Sequence, residues 1–143
     1  MEIRAALLCD SATVREGLLH VLGGGINRIW RPTLPAPLGV ALACLVAIDP
    51  TEAEQLHEVH MTVSSPNMQL GDAMGALQAS VPPKIEPGET MLLPIVLPLH
   101  NIGTVEYGRH VVRLSFDAGL VSDELQFWVL HPDEMKLPSP NVP

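Results

Sequence analysis

Apolar residues fall in short runs that recur roughly every ten to fifteen positions, parted by Pro, Gly, Asn and Asp, with almost no helical periodicity. The sharpest run is residues 91–99, where Met91, Leu93, Ile95, Leu97 and Leu99 are all large and aliphatic. That is the period-two signature of a half-buried strand. Residues 3–10 read the same way, with Ile3, Ala5, Leu7 and Cys9 on one face and Ala6 and Leu8 on the other. Asp10-Ser11-Ala12-Thr13 reads as the turn that ends them, because Asp and Ser bond their own backbone there. Residues 18–22 open a second strand, which Gly23-Gly24-Gly25 interrupts as a bulge or bend before residues 26–30 resume it. Three prolines make 31–37 an extended connection.

Residues 39–49 stand apart from the other runs. Val40, Leu42, Cys44, Val46 and Ile48 fill one face, while Ala41, Ala43, Leu45 and Ala47 fill the other, as in a strand covered on both sides. Thr51, three residues ahead of Glu54, predicts a single helical turn. Strands follow at 57–64 and 70–81, then a turn-rich loop at 82–88. Pro94 and Pro98 lie an even number of residues apart, so both lack an N–H on the same edge, which puts 91–99 at a sheet border. Residues 110–117 and 123–130 form the closing hairpin, with Val112, Leu114, Phe116, Leu125, Phe127 and Val129 inward. The pattern predicts an all-β fold, a two-layer antiparallel β-sandwich of about eight strands, immunoglobulin-like or C2-like. The sandwich is expected over residues 1–131, followed by a Pro-rich tail without regular structure at 132–143.

At 143 residues the chain has the length of one domain, enough to bury roughly two thirds of its unfolded surface. Charged residues make up 17%, against roughly 25% in an ordinary soluble domain. The deficit suggests that some of the exterior does not face water. Eight basic and sixteen acidic residues leave a net charge of −8, which disfavours nucleic acid and anionic membranes as partners. No targeting segment is visible, and the longest apolar run, residues 40–48, is too short to span a bilayer. Cys9 and Cys44 are too few for a disulfide framework and are expected as buried free thiols in a cytoplasmic protein.

The segments Ala6-Leu7-Leu8-Cys9-Asp10-Ser11-Ala12, Gly17-Leu18-Leu19-His20-Val21-Leu22-Gly23-Gly24-Gly25 with Trp30, and Phe127-Trp128-Val129-Leu130-His131-Pro132 resemble an uncharacterised bacterial family of small single-domain proteins, mainly actinobacterial. The resemblance spans most of the chain. It implies a bacterial, intracellular origin and carries over no chemistry. Tyr107-Gly108, Phe116-Asp117 and Phe127-Trp128-Val129 also resemble the last two strands of immunoglobulin-like domains.

The candidate chemistry is thin. His57 and His60 are three apart on a strand, which sends them to opposite faces rather than onto one metal. Gly23-Gly24-Gly25 lacks the Lys and Ser/Thr of a phosphate loop, though Gly24, Arg28 and Arg31 remain a candidate anion site at the bend over 23–30. Cys9, Asp10, Ser11 and His20 carry the residue types of nucleophilic catalysis, but Cys9 sits among aliphatics, where a structural thiol is expected. Asp49, Glu52 and Glu54 lack the spaced ligands calcium needs. No catalytic residue, metal or cofactor is therefore expected.

The strongest signal is the second apolar face: Ala41, Ala43, Leu45 and Ala47 beside Leu8, with Trp128 on the closing strand. The expectation is a non-enzymatic interaction or assembly module whose partner is a second copy of itself or another protein. Ala43→Glu is then expected to split a dimer and leave folded monomers. The alternatives are a small-ligand or anion-binding protein using the bend, and thirdly an unrecognised hydrolase around Cys9, Asp10 and His20.

Overall fold

The computed structural model describes residues 1–135. In chain order its strands are β1 (Glu2–Arg15), β2 (Leu18–Gly24), β3 (Arg28–Trp30), β4 (Ala36–Pro37), β5 (Ala41–Ile48), β6 (His57–Ser64), β7 (Gln69–Leu77), β8 (Met91–Pro98), β9 (Gly103–Thr104), β10 (Gly108–Phe116) and β11 (Val121–Leu130). Two sheets, ordered β2-β1-β5-β8 and β3-β11-β10-β6-β7, pack face to face, and β4 pairs with β9 apart from them. All pairs are antiparallel except β3 with β11, which run parallel. The all-β sandwich anticipated from the alternation is thus the fold, and the eight longest strands correspond to the eight apolar runs.

The core lies between the sheets. Leu42, Cys44, Val46 and Ile48 of β5 meet Val59, Met61 and Val63 of β6, Val112, Leu114 and Phe116 of β10, and Phe127 and Val129 of β11. These are the alternate positions of each strand, since successive side chains point to opposite faces. His110 is buried among them, its ring centroid 5.2 Å from that of Phe127. Nδ1 of His110 donates to the Gly108 carbonyl at 3.0 Å, and Nε2 accepts from the Thr104 hydroxyl at 2.7 Å. Burial lowers its pKa, so the neutral ring is the stable form.

β8 pairs with β5 alone and is an edge strand, as the even spacing of Pro94 and Pro98 requires. Three local expectations fail. Asp10–Thr13 is not a turn: β1 runs through it to Arg15, and the hairpin turns instead at Glu16-Gly17, whose φ angles of 53° and 72° suit a two-residue turn matching strand twist. Thr51 does not cap the helical turn α1 (Pro50–Ala53); Asp49 does, accepting from the Thr51 N–H at 2.9 Å, with proline at the first helical position. Residues 26–30 do not continue the strand before the glycines but cross to the other sheet, where β3 lies against β11. Of the expected irregular tail, Pro132–Met135 forms one 3-10 turn, and residues 136–143 lie outside the described residues.

Candidate functional site

A bulge in β1 rearranges the expected interface. Ile3 pairs with Val46 but Ala5 pairs with Leu45, so one residue, Arg4, is inserted and the alternation shifts. Ile3, Ala6 and Leu8 therefore face the inter-sheet core, while Leu7 and Cys9 turn outward. Leu8, expected on the outer face, is 2% exposed and belongs to the core. Outward Ala41, Ala43 and Ala47 of β5 are no more available, at 1%, 1% and 4% exposure. Ala43 is flanked by Leu7 and Val96, and Ala41 by Cys9 and Pro98. Ala47 sits between Glu2 and Leu92. The chain itself completes the cover. The second half of β1 pairs with β2 as an arm, and Ala12 and Leu19 of that arm pack against Cys9, Ala41 and Ala43. His100, just after β8, donates from Nε2 to the Asp10 carbonyl at 2.9 Å and ties the arm to the opposite edge of the sheet. Of the six expected interface residues, Leu45 is half-buried and Trp128 is exposed.

The arm moves the apolar surface outward rather than removing it. Val14, Leu18, Val21 and Leu22 are 48%, 63%, 39% and 69% exposed. β2 is an edge strand paired only with β1. The legible signal for this hairpin was Glu16-Gly17 between two apolar runs, masked by the stronger turn chemistry of Asp10-Ser11.

The glycine-rich bend is a crossover built for close packing. A Cβ on Gly23, whose φ is 65°, would lie 2.6 Å from Asp10 Oδ2, and one on Gly24 would lie 3.0 Å from Leu7 Cδ1. The N–H groups of Gly25 and Ile26 both donate to the Leu8 carbonyl, at 2.9 and 3.0 Å. Arg31 is spent on the backbone: Nε donates to Pro37 O at 2.9 Å, and its terminal nitrogens donate to Trp30 O and Leu38 O, both at 2.8 Å. Arg31 is a brace, so Gly24, Arg28 and Arg31 do not converge as an anion site. Arg28 instead belongs to β3 and its sheet.

The other candidates stay separate as well. Cys9 lies across from Gly24 and Ala41, whereas His20 lies across from Thr13, so thiol and imidazole are not brought together. Cys9 Sγ donates to Ala41 O at 3.5 Å, and burial raises its pKa. Burial likewise pushes the Cys44 thiol up to about 11. His57 is buried, with Nδ1 2.8 Å from Asp117 Oδ2 and Nε2 2.7 Å from Glu52 O. His60 points the other way and meets Asp72 at 2.6 Å. Among the described residues, no three His, Cys, Asp or Glu side chains come together in a metal-holding cluster.

The outer face of the β3-β11-β10-β6-β7 sheet is polar and hollow. Directly paired residues share a face, so the register sets out its rows: Arg28–Trp128–Arg109, then Gln126–Val111–Ser64–Gln69, then Glu124–Arg113–Thr62–Asp72, then Ser122–Ser115–His60–Met74. Within it lies an open trough of about 540 Å³. Arg113 pairs with Glu124 across strands. Arg109 and Arg28 have no ion-pair partner among the described residues.

No helix among the described residues is long and apolar enough to cross a membrane. No curated protein matches the chain. A family of unknown function, DUF6941, matches residues 4–129, from the start of β1 almost to the end of β11, and so takes in both sheets. The chain belongs to that family of unknown function.

Proposed function

We propose that the chain is a non-enzymatic interaction module that associates with a second copy of itself through the β1–β2 arm. One observation carries the reading: among the described residues, four of the twelve exposed large apolar side chains, Val14, Leu18, Val21 and Leu22, are gathered on one hairpin. β2 has unused backbone donors and acceptors along its free edge, and neither Pro nor Lys guards it. β8, at the other edge of the same sheet, carries Pro94 and Pro98. Leu18, His20 and Leu22 alternate onto one face of β2. Antiparallel pairing of two copies about an axis beside His20 sets Leu18 of one across from Leu22 of the other and joins their sheets into one. The cytoplasm, a reducing compartment, suits a protein with two free buried thiols.

Size-exclusion chromatography with light scattering tests the reading. Wild-type protein is expected to be dimeric at micromolar concentration. Leu22→Glu, at a position 69% exposed in the single chain, is expected to give a folded monomer with unchanged circular dichroism. A wild-type protein that stays monomeric at high micromolar concentration defeats the proposal.

A further inference from the structure

Four of the seven Lys and Arg side chains among the described residues are occupied. Among the described residues, Arg4 pairs with Glu2, Lys84 with Glu86 and Arg113 with Glu124, and Arg31 is held by carbonyls. That leaves Arg15 at the tip of the arm, and Arg28 and Arg109. The last two stand on either side of Trp128 in one row of the five-stranded sheet. With strands about 4.8 Å apart, the two arginine positions are roughly 10 Å apart astride the indole. Trp128 is 38% exposed although its strand neighbours Phe127 and Val129 are fully buried. A protein of net charge −8 thus keeps two unpaired guanidiniums beside an open aromatic face.

Arg109 also lines the trough, whose walls include the hydroxyls of Thr62, Ser64 and Ser115 and the Gln69 amide. Each group matches a different portion of one ligand class. An exposed indole stacks on a flat or ring-shaped apolar face. A guanidinium takes a carboxylate through two parallel N–H donors. Hydroxyls and amides both donate and accept, as a ligand rich in hydroxyl groups demands. The carboxylates of Glu124 and Asp72 on the same face oppose dense negative charge such as a phosphate chain, yet can accept hydrogen bonds from ligand hydroxyls. We infer that the Arg28–Trp128–Arg109 row and the adjoining trough bind a carboxylated oligosaccharide, one made of uronic-acid rings. This surface lies on the opposite sheet from the β1–β2 arm, so the inference does not depend on self-association.

Calorimetric titration and tryptophan fluorescence with trigalacturonate, on full-length protein, test it. Binding is expected to weaken at high salt, with maltotriose, the neutral trisaccharide, at least about tenfold weaker. Arg109→Gln is expected to weaken trigalacturonate binding about tenfold or more, Trp128→Ala to a similar extent, and Arg15→Gln not at all. Leu22→Glu should bind as wild type does, which separates this result from that of the arm. Lack of trigalacturonate binding at millimolar concentration, or equal binding by wild type and Arg109→Gln, overturns the inference. Equal or tighter binding of inorganic phosphate or hexaglutamate overturns it too, pointing to a general anion site or an acidic protein partner.

Discussion

Replacing Asp117 by Asn removes one charge from a part-buried contact and keeps a side chain of the same shape. Both ring nitrogens of His57 face acceptors, the Asp117 carboxylate at 2.8 Å and the Glu52 carbonyl at 2.7 Å. A carbonyl cannot donate, nor can an ionised carboxylate, so both nitrogens carry protons and the ring is an imidazolium. The Asp117 hydrogen bond is the main cause that raises the His57 pKa above its ordinary 6.5, and the same bond is the main cause that lowers that of Asp117 below 3.8. The signs follow by linkage. The His57 contribution is complete below 6.5 and is lost as pH rises through the raised folded value. That of Asp117 is present above 3.8 and is lost as pH falls through the lowered value, so both are complete between 3.8 and 6.5.

Asparagine suits this position for two further reasons. Asp117 has φ of 51°, a left-handed conformation that Asn tolerates better than other non-glycine residues. Its side-chain oxygen can still accept from the Glu58 N–H, now 3.0 Å from Asp117 Oδ1, while its amide donates to a neutral His57. The loss is thus the difference between a charge-assisted and a neutral hydrogen bond, about 1–1.5 kcal/mol. That corresponds to a melting temperature about 3–5 °C lower for a domain of this size. Urea and thermal unfolding of both proteins at pH 6 and pH 9 provide the assay. Buried His110 titrates in the opposite sense, losing stability as pH falls, but it is common to both proteins and cancels in their difference. The deficit of Asp117→Asn is expected at pH 6 and gone at pH 9. An equal deficit at both, or none at pH 6, refutes the imidazolium assignment.

Ala43→Glu is expected to unfold the single chain rather than dissociate a dimer, because Ala43 is 1% exposed beneath Leu7, Leu19 and Val96. An unpaired charge there costs roughly 3–5 kcal/mol, and a variant that keeps wild-type stability in urea would contradict the arm's packing. Cys9 and Cys44 are buried, and burial raises both pKa values. An aromatic disulfide reagent at mildly alkaline pH is expected to label neither in native protein and both after unfolding, and rapid labelling of native protein would count against this burial.

Architecture was legible from side-chain period alone. Alternation at Met91–Pro98, Gly108–Phe116 and Val121–Leu130 dictates which side chains turn inward whatever the partners are, and Pro94 with Pro98 even dictates an edge. Burial on both sides of Ala41–Ile48 was legible for the same reason, since a strand with no polar side must be covered twice. What covered it was not. The extra residue at Arg4 reverses which face Leu8 occupies, and such an insertion leaves no trace in the composition of the strand. The fold of the arm over Ala41 and Ala43 rests on contacts between Leu19 and residues more than twenty positions away, which no local pattern contains. The row Arg28–Trp128–Arg109 joins the closing hairpin of β10 and β11 to β3, a strand from the opposite end of the chain. Period settles the orientation of a side chain within its own strand, whereas the company it keeps across strands depends on register and sheet order, and those are properties of the assembled molecule.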